Sequence, residues 1–291
     1  MPEREFTVAE RSQAQLVVRR FRQHRLAVSS VVVLVALVLL AFVGGWLWTY
    51  SAAELTPDES QPPSWNHPFG TDAAGRDTFA QVLRGTQISI GISVLVAIFA
   101  TLIGTIWGAA AGYYRGVVDT VMMRIADLIL TLPLLAVAVV LGHNAGGSWW
   151  LIAAVITGLF WAYVARVVRG VVLSLREKEF IEAAKALGAS DARIIFRHLV
   201  PNALGSVIVN ATILVALAIL AETALSYLGF GVRAPDTSLG LLVSQAQTAV
   251  QTRPWLFYFP GLFIILIALT INFIGDGLRD AFDPQQTKVR R

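Results

Sequence analysis

Six long apolar runs constrain this chain more than any other feature of its sequence. A helix needs about 20 mainly apolar residues to cross the hydrocarbon core of a bilayer. Windows of roughly that length run from Leu26 to Trp48, Ile88 to Tyr113, Val121 to Leu141, Trp149 to Val168, Leu204 to Phe230 and Trp255 to Ile274. With 56% hydrophobic and 14% charged residues, the composition lies outside that of ordinary soluble domains. The sequence therefore predicts an all-α polytopic membrane protein with about six transmembrane helices.

The basic residues predict how these spans are oriented. Positively charged side chains concentrate in the cytoplasmic loops of membrane proteins. If the N-terminus is cytoplasmic, all but four of the 23 Lys and Arg residues fall on the inner side; the exceptions are Arg76, Arg84, Arg233 and Arg253. Both termini are therefore predicted to be cytoplasmic. Basic residues that anchor helix ends against anionic lipid account for the net charge of +4 without a nucleic-acid partner.

The apolar runs also divide the chain into segments. The stretch "LVVRRFRQHRLAV" has apolar positions at near-helical spacing, which favours a helix along the inner membrane surface, with a disordered basic leader as the alternative. The predicted segments are an N-terminal part (1–25), a transmembrane part (26–277) and a cytoplasmic tail (278–291). The main predicted loops are an outer one at 49–87, a cytoplasmic one at 169–203 and an outer one at 231–253.

Sites for covalent chemistry are missing from the sequence. A phosphate-binding P-loop needs a lysine directly after glycine, but the three lysines follow Glu177, Ala184 and Thr287. The chain has no cysteine, and its four histidines lie scattered without carboxylates at metal-ligand spacing. We therefore expect no catalytic residue, no metal site and no cofactor in this chain.

Small and ionisable residues inside the spans carry structural signals. Gly104, Gly108 and Gly112 lie four apart on one helical face, an arrangement that lets two helices approach closely. This face packs either within the chain or against a partner subunit. An ionisable group at membrane depth usually faces a cavity or a partner, so Glu222 is the candidate for lining a pathway, with a carboxylate held by a neighbouring helix as the alternative. Asp127 lies near the predicted inner surface as an interfacial charge.

The polar stretch 179–202 predicts two short amphipathic helices that meet at Gly188. The expected apolar faces are Phe180, Ile181, Ala184 and Leu187 in the first helix and Ala192, Ile195, Phe196 and Leu199 in the second. Gly188 suits a left-handed helix stop, Ser190 suits an N-cap, and Pro201 is expected to end the second helix. Such a pair is too small to fold alone, so it either docks on a partner or rests on lipid headgroups.

Within this stretch, "EAAKALG" resembles the EAA-x-x-x-G signature of the membrane subunits of binding-protein-dependent ABC importers. The resemblance extends to "HPFGTDAAGRD", "LAETALSYLGFGVRAP" and "GDGLRDAFDP", which are similar to the peptide/nickel group of these permeases. The short first outer loop resembles that of the OppC/DppC-type subunit. The resemblance implies the type I ABC importer permease architecture in a bacterial plasma membrane.

The same resemblance implies the function and the partners. It implies a permease subunit, not an enzyme, that translocates di- and oligopeptides delivered by an extracytoplasmic solute-binding protein. A sister permease would complete a heterodimer, and two ATPase subunits would bind the ATP and Mg. Nickel or another small solute is an alternative cargo, and a secondary transporter is the alternative from a different class.

The resemblance further implies that the segment 169–203, hereafter the EAA loop, couples the permease to an ATPase subunit. The residues that would carry this coupling are Glu182, Ala183, Ala184, Gly188, Ala189, Ser190, Arg193 and Pro201. The outer loops, from Glu54 to Gln87 and from Val232 to Arg253, are the expected docking sites of the binding protein.

Overall fold

The computed structural model describes residues 13–144 and 146–282. Within these ranges all regular structure is helical, apart from one isolated bridge between Thr71 and Asp77. The all-α prediction is therefore confirmed. The first part of the N-terminal segment (1–12) and most of the predicted tail (283–291) lie outside the described residues.

The described part of the chain contains ten longer helices and one 3₁₀ turn, Gln247–Ala249. The ten helices are α1 (Gln13–Gln23), α2 (Arg25–Leu47), α3 (Thr78–Tyr114), α4 (Gly116–Thr131), α5 (Leu134–Asn144), α6 (Trp149–Arg176), α7 (Glu179–Ala186), α8 (Asp191–Tyr227), α9 (Leu239–Ala246) and α10 (Trp255–Phe282). Five of them, α2, α3, α6, α8 and α10, are long and apolar enough to cross a membrane, and α4 with α5 forms a sixth if the bent pair is one span. The prediction of about six spans is confirmed.

The third predicted span is broken at a proline. The axes of α4 and α5 meet at 84° around Leu132 and Pro133. Proline removes a helical N–H donor and disfavours the helical region for the residue before it. Leu132 accordingly has an extended backbone, with ψ at 136°. The apolar window from Val121 to Leu141 is thus two helices and not one straight rod.

The helices extend beyond the apolar windows because polar residues can begin or end them. α3 starts ten residues before the predicted span, where the Asp77 carboxylate accepts the N–H of Ala80 at 2.7 Å as an N-cap. The first part of the helix therefore takes up the end of the predicted outer loop 49–87. Its 37 residues make α3 about 55 Å long. α6 likewise continues to Arg176, inside the predicted loop 169–203, and α10 continues to Phe282.

The expectation that Pro201 ends a short helix is wrong. The helix that begins at Asp191 runs without a break to Tyr227 and passes through Pro201. A five-residue π-helical segment, Ile195–Leu199, ends two residues before the proline. A proline ring clashes with the carbonyl four residues earlier in a regular α-helix, and the wider turn of a π segment relieves this crowding. The second half of the EAA loop is therefore the beginning of a spanning helix.

The helices α3 and α6 cross at very close range. A Cβ on Gly104 would lie 2.6 Å from the carbonyl oxygen of Trp161, and one on Gly108 would lie 2.3 Å from that of Ala165. A Cβ on Gly112 would contact Val172 at 3.0 Å. The structure thus places the small-residue face of α3 against α6 of the same chain.

The two ends of the bundle differ. One end, called here the basic end, carries the C-terminus of α3, the C-terminus of α6, and α7. At the opposite end, residues 48–77 fold back over the start of α3. Buried Asp77 holds this loop together, because its carboxylate accepts the indole N–H of Trp48 at 3.1 Å and lies 2.8 Å from Nδ1 of buried His67.

The helix α1 occupies part of the segment for which a surface helix is predicted. It packs beside the end of α10, where a Cβ on Gly277 would lie 3.2 Å from the ring of Phe21. The Nδ1 of His24 accepts the N–H of Ala27 at the start of α2. That this helix lies along a membrane surface stays a prediction.

Candidate functional site

A glycine-stopped turn organises the EAA loop. Gly188 has φ of +78°, in the left-handed region that favours glycine. The N–H of Ala189 donates to the carbonyl of Ala184 at 3.0 Å, and the N–H of Gly188 donates to that of Lys185 at 2.9 Å. These two bonds form the Schellman motif that terminates α7. The predicted turn at Gly188 is confirmed, and Ser190 occupies the N-cap position of α8, as expected.

The loop buries one side and exposes another. Ile181, Ile194, Ile195 and Leu199 are buried in a core that they share with α3 and α6. Three large apolar residues point away from this core: Phe180 is 41% exposed, Phe196 58% and Leu187 88%. Of the predicted apolar face of the first helix, only Ile181 is fully buried. Exposed apolar side chains grouped on one loop are typical of a protein–protein contact surface.

The eight residues named for ATPase coupling all lie on this loop. Ala184 and Ala189 are half-buried, and Glu182, Ala183, Gly188, Ser190, Arg193 and Pro201 are exposed. A Cβ on Gly188 would meet no atom within 4 Å. The turn is thus limited by its backbone conformation and not by neighbouring side chains. The role of these residues in coupling stays a prediction.

Tyr113, near the end of α3, holds both halves of the EAA loop. Its hydroxyl donates to the carboxylate of Asp191 at 2.6 Å, in the first turn of α8. Lys185 of α7 and Arg176 of α6 place their cationic groups 5.5 Å and 5.7 Å from the centre of its ring. Sequence reasoning missed this residue, because 78 positions separate it from Asp191.

Arg115, the residue between α3 and α4, forms an ion pair with the end of α6. The Arg115 guanidinium donates to the carboxylate of Glu177, directly after the last residue of α6. This hydrogen bond, together with the positive charge of Arg115, lowers the pKa of Glu177 below its usual value. The carboxylate is therefore ionised at neutral pH.

Two further ion pairs fix α4 to α6. The guanidinium of Arg169 donates two hydrogen bonds of 2.6 Å to the carboxylate of Asp119. Arg166 forms an ion pair with Asp127 at an exposed position. Asp127, predicted as an interfacial charge, is thus a partner of α6. These pairs hold the half of the broken span that precedes Pro133 against the bundle.

Glu222, the candidate for lining a pathway, has no exposed surface in this structure. Its carboxylate accepts hydrogen bonds from Ser89 of α3 at 3.1 Å and from Ser226 of α8 at 2.6 Å. The N-cap of α9, Ser238, lies 3.3 Å from Ser226. This arrangement is the alternative in which neighbouring helices hold the carboxylate. The pathway role stays a prediction, and it requires a second conformation that uncovers Glu222.

Among residues 13–144 and 146–282, no group of three or more His, Asp or Glu side chains is arranged to hold a metal ion.

Family models match most of the chain. Residues 100–288 match the model described as binding-protein-dependent transport system inner membrane component. Residues 12–63 match the model described as the N-terminal TM domain of oligopeptide transport permease C. The two matches together include the EAA loop and the first span.

Curated relatives are similar over nearly their full length. The oligopeptide transport system permease protein OppC of Mycobacterium bovis is 42% identical over 96% of this chain and 97% of its own length. The protein of the same name from Bacillus subtilis is 41% identical over 92% of this chain and 88% of its own. The dipeptide transport system permease protein DppC of Bacillus subtilis is 38% identical over 94% and 85%.

A solved structure shares the fold. An inward-facing crystal structure of the MetNI methionine ABC transporter contains a chain that superposes with a TM-score of 0.58 at 18% identity. The match covers 70% of this chain and 96% of that one. This likeness confirms the predicted type I ABC importer permease architecture at the level of the fold.

Proposed function

This chain belongs to the family of binding-protein-dependent transport system inner membrane components, and from that premise we propose that it is the permease through which an ATP-driven importer moves di- and oligopeptides. The observation that carries the proposal is the 42% identity, over 96% of the chain, to a protein named for oligopeptide transport. An exposed EAA loop with a glycine-stopped turn supports it from the geometry.

The chain is a multi-pass protein of the bacterial inner membrane, and we propose that its basic end faces the cytoplasm. The Lys and Arg distribution of the sequence supports this orientation, with both termini cytoplasmic. Residues 48–77 and α9 would then face outward. The apolar outer surface of the bundle would contact lipid.

ATP hydrolysis would act on the permease through the EAA loop. We infer that an ATPase subunit receives the exposed Phe180, Leu187 and Phe196 in a groove. Two such subunits would bind ATP and Mg, so this chain needs no nucleotide site of its own. Closure of the ATPase pair would push the loop, and α8 would carry that movement directly into the membrane, because the second half of the loop and the span are one helix.

Two more partners complete the proposed machine. A sister permease would form a heterodimer with this chain and enclose the translocation pathway between them. An extracytoplasmic solute-binding protein would deliver the peptide and dock over residues 54–87 and 232–253. Selection of cargo would then lie mainly with the binding protein.

The first experiment measures uptake of tritiated dialanine, trialanine and pentaalanine by cells that carry the native gene, no gene or a Gly188 variant. Gly188→Val should abolish uptake while the protein stays in the membrane, because a β-branched residue is strongly disfavoured at positive φ. Gly188→Asn is the matched control, since asparagine tolerates the left-handed region. It should retain most of the uptake.

The outcomes separate the alternatives. Peptide uptake that depends on the gene and fails only in Gly188→Val supports the proposal. Loss of nickel uptake without loss of peptide uptake would still support an ATP-driven importer, but its substrate would be nickel and not peptides. Uptake that persists in cells without the ATPase subunits would indicate a secondary transporter, and normal uptake by Gly188→Val would refute the coupling role of the loop.

A further inference from the structure

We propose that Tyr113 is the positioning residue that transmits movement of the EAA loop into α3. This inference rests on the proposed function, because it assumes that the loop receives force from an ATPase subunit. It adds a second route into the membrane beside the continuous helix α8. This second route consists of contacts of one side chain, so removing the hydroxyl oxygen of Tyr113 would interrupt it.

The contacts of Tyr113 identify it as a joint. Its hydroxyl donates to Asp191, which follows the turn, and its ring receives the cation of Lys185, which precedes the turn. Arg176, at the end of α6, approaches the same ring. One aromatic side chain thus contacts both halves of the loop on either side of Gly188. Hydrogen bonds to an ionised carboxylate are stronger than neutral ones, so the Asp191 contact would be the strongest of these.

Rigidity makes α3 suitable for carrying that movement. The helix has no proline over its 37 residues. It is packed closely on α6 at Gly104, Gly108 and Gly112, so the contact between the two helices contains no gap. Packed helices move as units, because dense interfaces do not deform continuously. A push at Tyr113 would therefore displace the far end of α3 as well.

The far end of α3 carries the other proposed docking surface. Asp77 caps the helix and also accepts the indole N–H of Trp48, and it lies beside His67. A shift of the helix would thus move residues 54–77, which belong to the surface 54–87 on which the binding protein is proposed to dock. Docking of the binding protein on the outer side would, through the same rigid helix, also displace Tyr113 on the inner side. The helix links the two sites on opposite sides of the membrane.

Tyr113→Phe is the sharpest test, because it removes only the hydroxyl. Tyr113 is buried and belongs to the apolar core that α3 shares with α6 and the EAA loop, and phenylalanine would keep the ring and both cation contacts. Tyr114→Phe is the matched control: it removes the same atom from the neighbouring residue, whose side chain is 49% exposed. Both variants are made in the complete transporter, with its sister permease, ATPases and binding protein, in liposomes.

The readout is peptide taken up per ATP hydrolysed, with tritiated trialanine and its binding protein as the probe. We expect Tyr113→Phe to lower this ratio about tenfold, the effect of losing one hydrogen bond to a charged group on an equilibrium. Tyr114→Phe should leave it unchanged. Asp191→Ala should lower the ratio as much as Tyr113→Phe, and the double variant should be no worse than either alone, because both remove the same bond.

The Gly188→Val variant, measured alongside, distinguishes two kinds of failure. If Gly188→Val transports normally, the coupling role of the loop fails, and this inference fails with it. If Gly188→Val is uncoupled but Tyr113→Phe has the ratio of Tyr114→Phe, only the role of Tyr113 is refuted. Tyr113→Phe and Asp191→Ala variants that assemble poorly into the transporter, yet transport with a normal ratio, would also refute it, since the contact would then be purely structural.

Discussion

Gly108→Ala tests whether the approach of α3 to α6 is as close as the structure describes. A Cβ at this position would lie 2.3 Å from the carbonyl oxygen of Ala165 and 3.0 Å from the backbone nitrogen of Arg169. Non-bonded heavy atoms attract best at about 3.5–4.0 Å. Because both neighbours are backbone atoms, no rotamer change relieves the clash. The two helices would have to separate by about 1 Å.

The cost follows from that separation. A gap of about 1 Å forfeits up to about half of each van der Waals contact that it opens, and Gly104 and Gly112 lie on the same contact face. Overpacking costs up to about 3 kcal/mol. The better helix propensity of alanine returns about 1 kcal/mol. We therefore expect Gly108→Ala to lower the free energy of unfolding by about 2 kcal/mol.

The measurement is an SDS titration of the purified full chain in dodecyl maltoside, followed by circular dichroism. Gly158→Ala is the control, because it makes the same change in α6 at a position where a Cβ would meet nothing within 4 Å. This control should gain up to about 1 kcal/mol. Equal stability of the two variants would refute the close crossing of α3 and α6.

Two further predictions concern the ends of the bundle and use the same titration. Asp77→Ala should lower the free energy of unfolding by about 3 kcal/mol, because it removes a helix cap and leaves half-buried Trp48 and buried His67 without their acceptor. Asp77→Asn, which keeps one acceptor oxygen, should lose less, and an equal loss would contradict this reason. Since Arg115 lowers the pKa of Glu177, their pair stabilises the fold above the unfolded pKa of about 4.3 and loses this effect as the pH falls through the lower folded pKa. The stability difference between the native chain and Glu177→Gln should therefore stay constant from pH 8 to about pH 5 and disappear in stronger acid, and a difference that changes near pH 7 would contradict the assignment.

Features with a local cause could be predicted from the sequence. The length of the apolar runs predicts the spans, because lipid offers no partner for backbone polar groups and each span must satisfy its own as a helix. The turn at Gly188 follows from the positive φ that a glycine after a helix adopts without strain. The sharp bend at Pro133 in the third span has a cause of the same local kind, because proline removes a helical N–H donor.

Two features of the structure could not be predicted from local rules. The proline at 201 is a helix-ending signal by local rules, but the π segment before it lets the helix continue into the membrane. In the sequence, Tyr113 is only the last residue of an apolar window, and the fold brings its hydroxyl to Asp191. Local periodicity contains no information about which side chains meet when helices pack.

The sequence by itself determined that the chain is an all-α membrane protein and how many spans it has, to within about one, while its motifs resemble those of ABC importer permeases. The spans depend on residue type and spacing along a single helix, which lipid and backbone hydrogen bonding enforce locally. The tertiary structure alone decided that the small-residue face of α3 packs against α6, that Glu222 is enclosed by serines, and that one tyrosine joins the EAA loop to α3. These contacts depend on how helices cross, and the free energy of a crossing is a property of two surfaces that lie far apart in the chain.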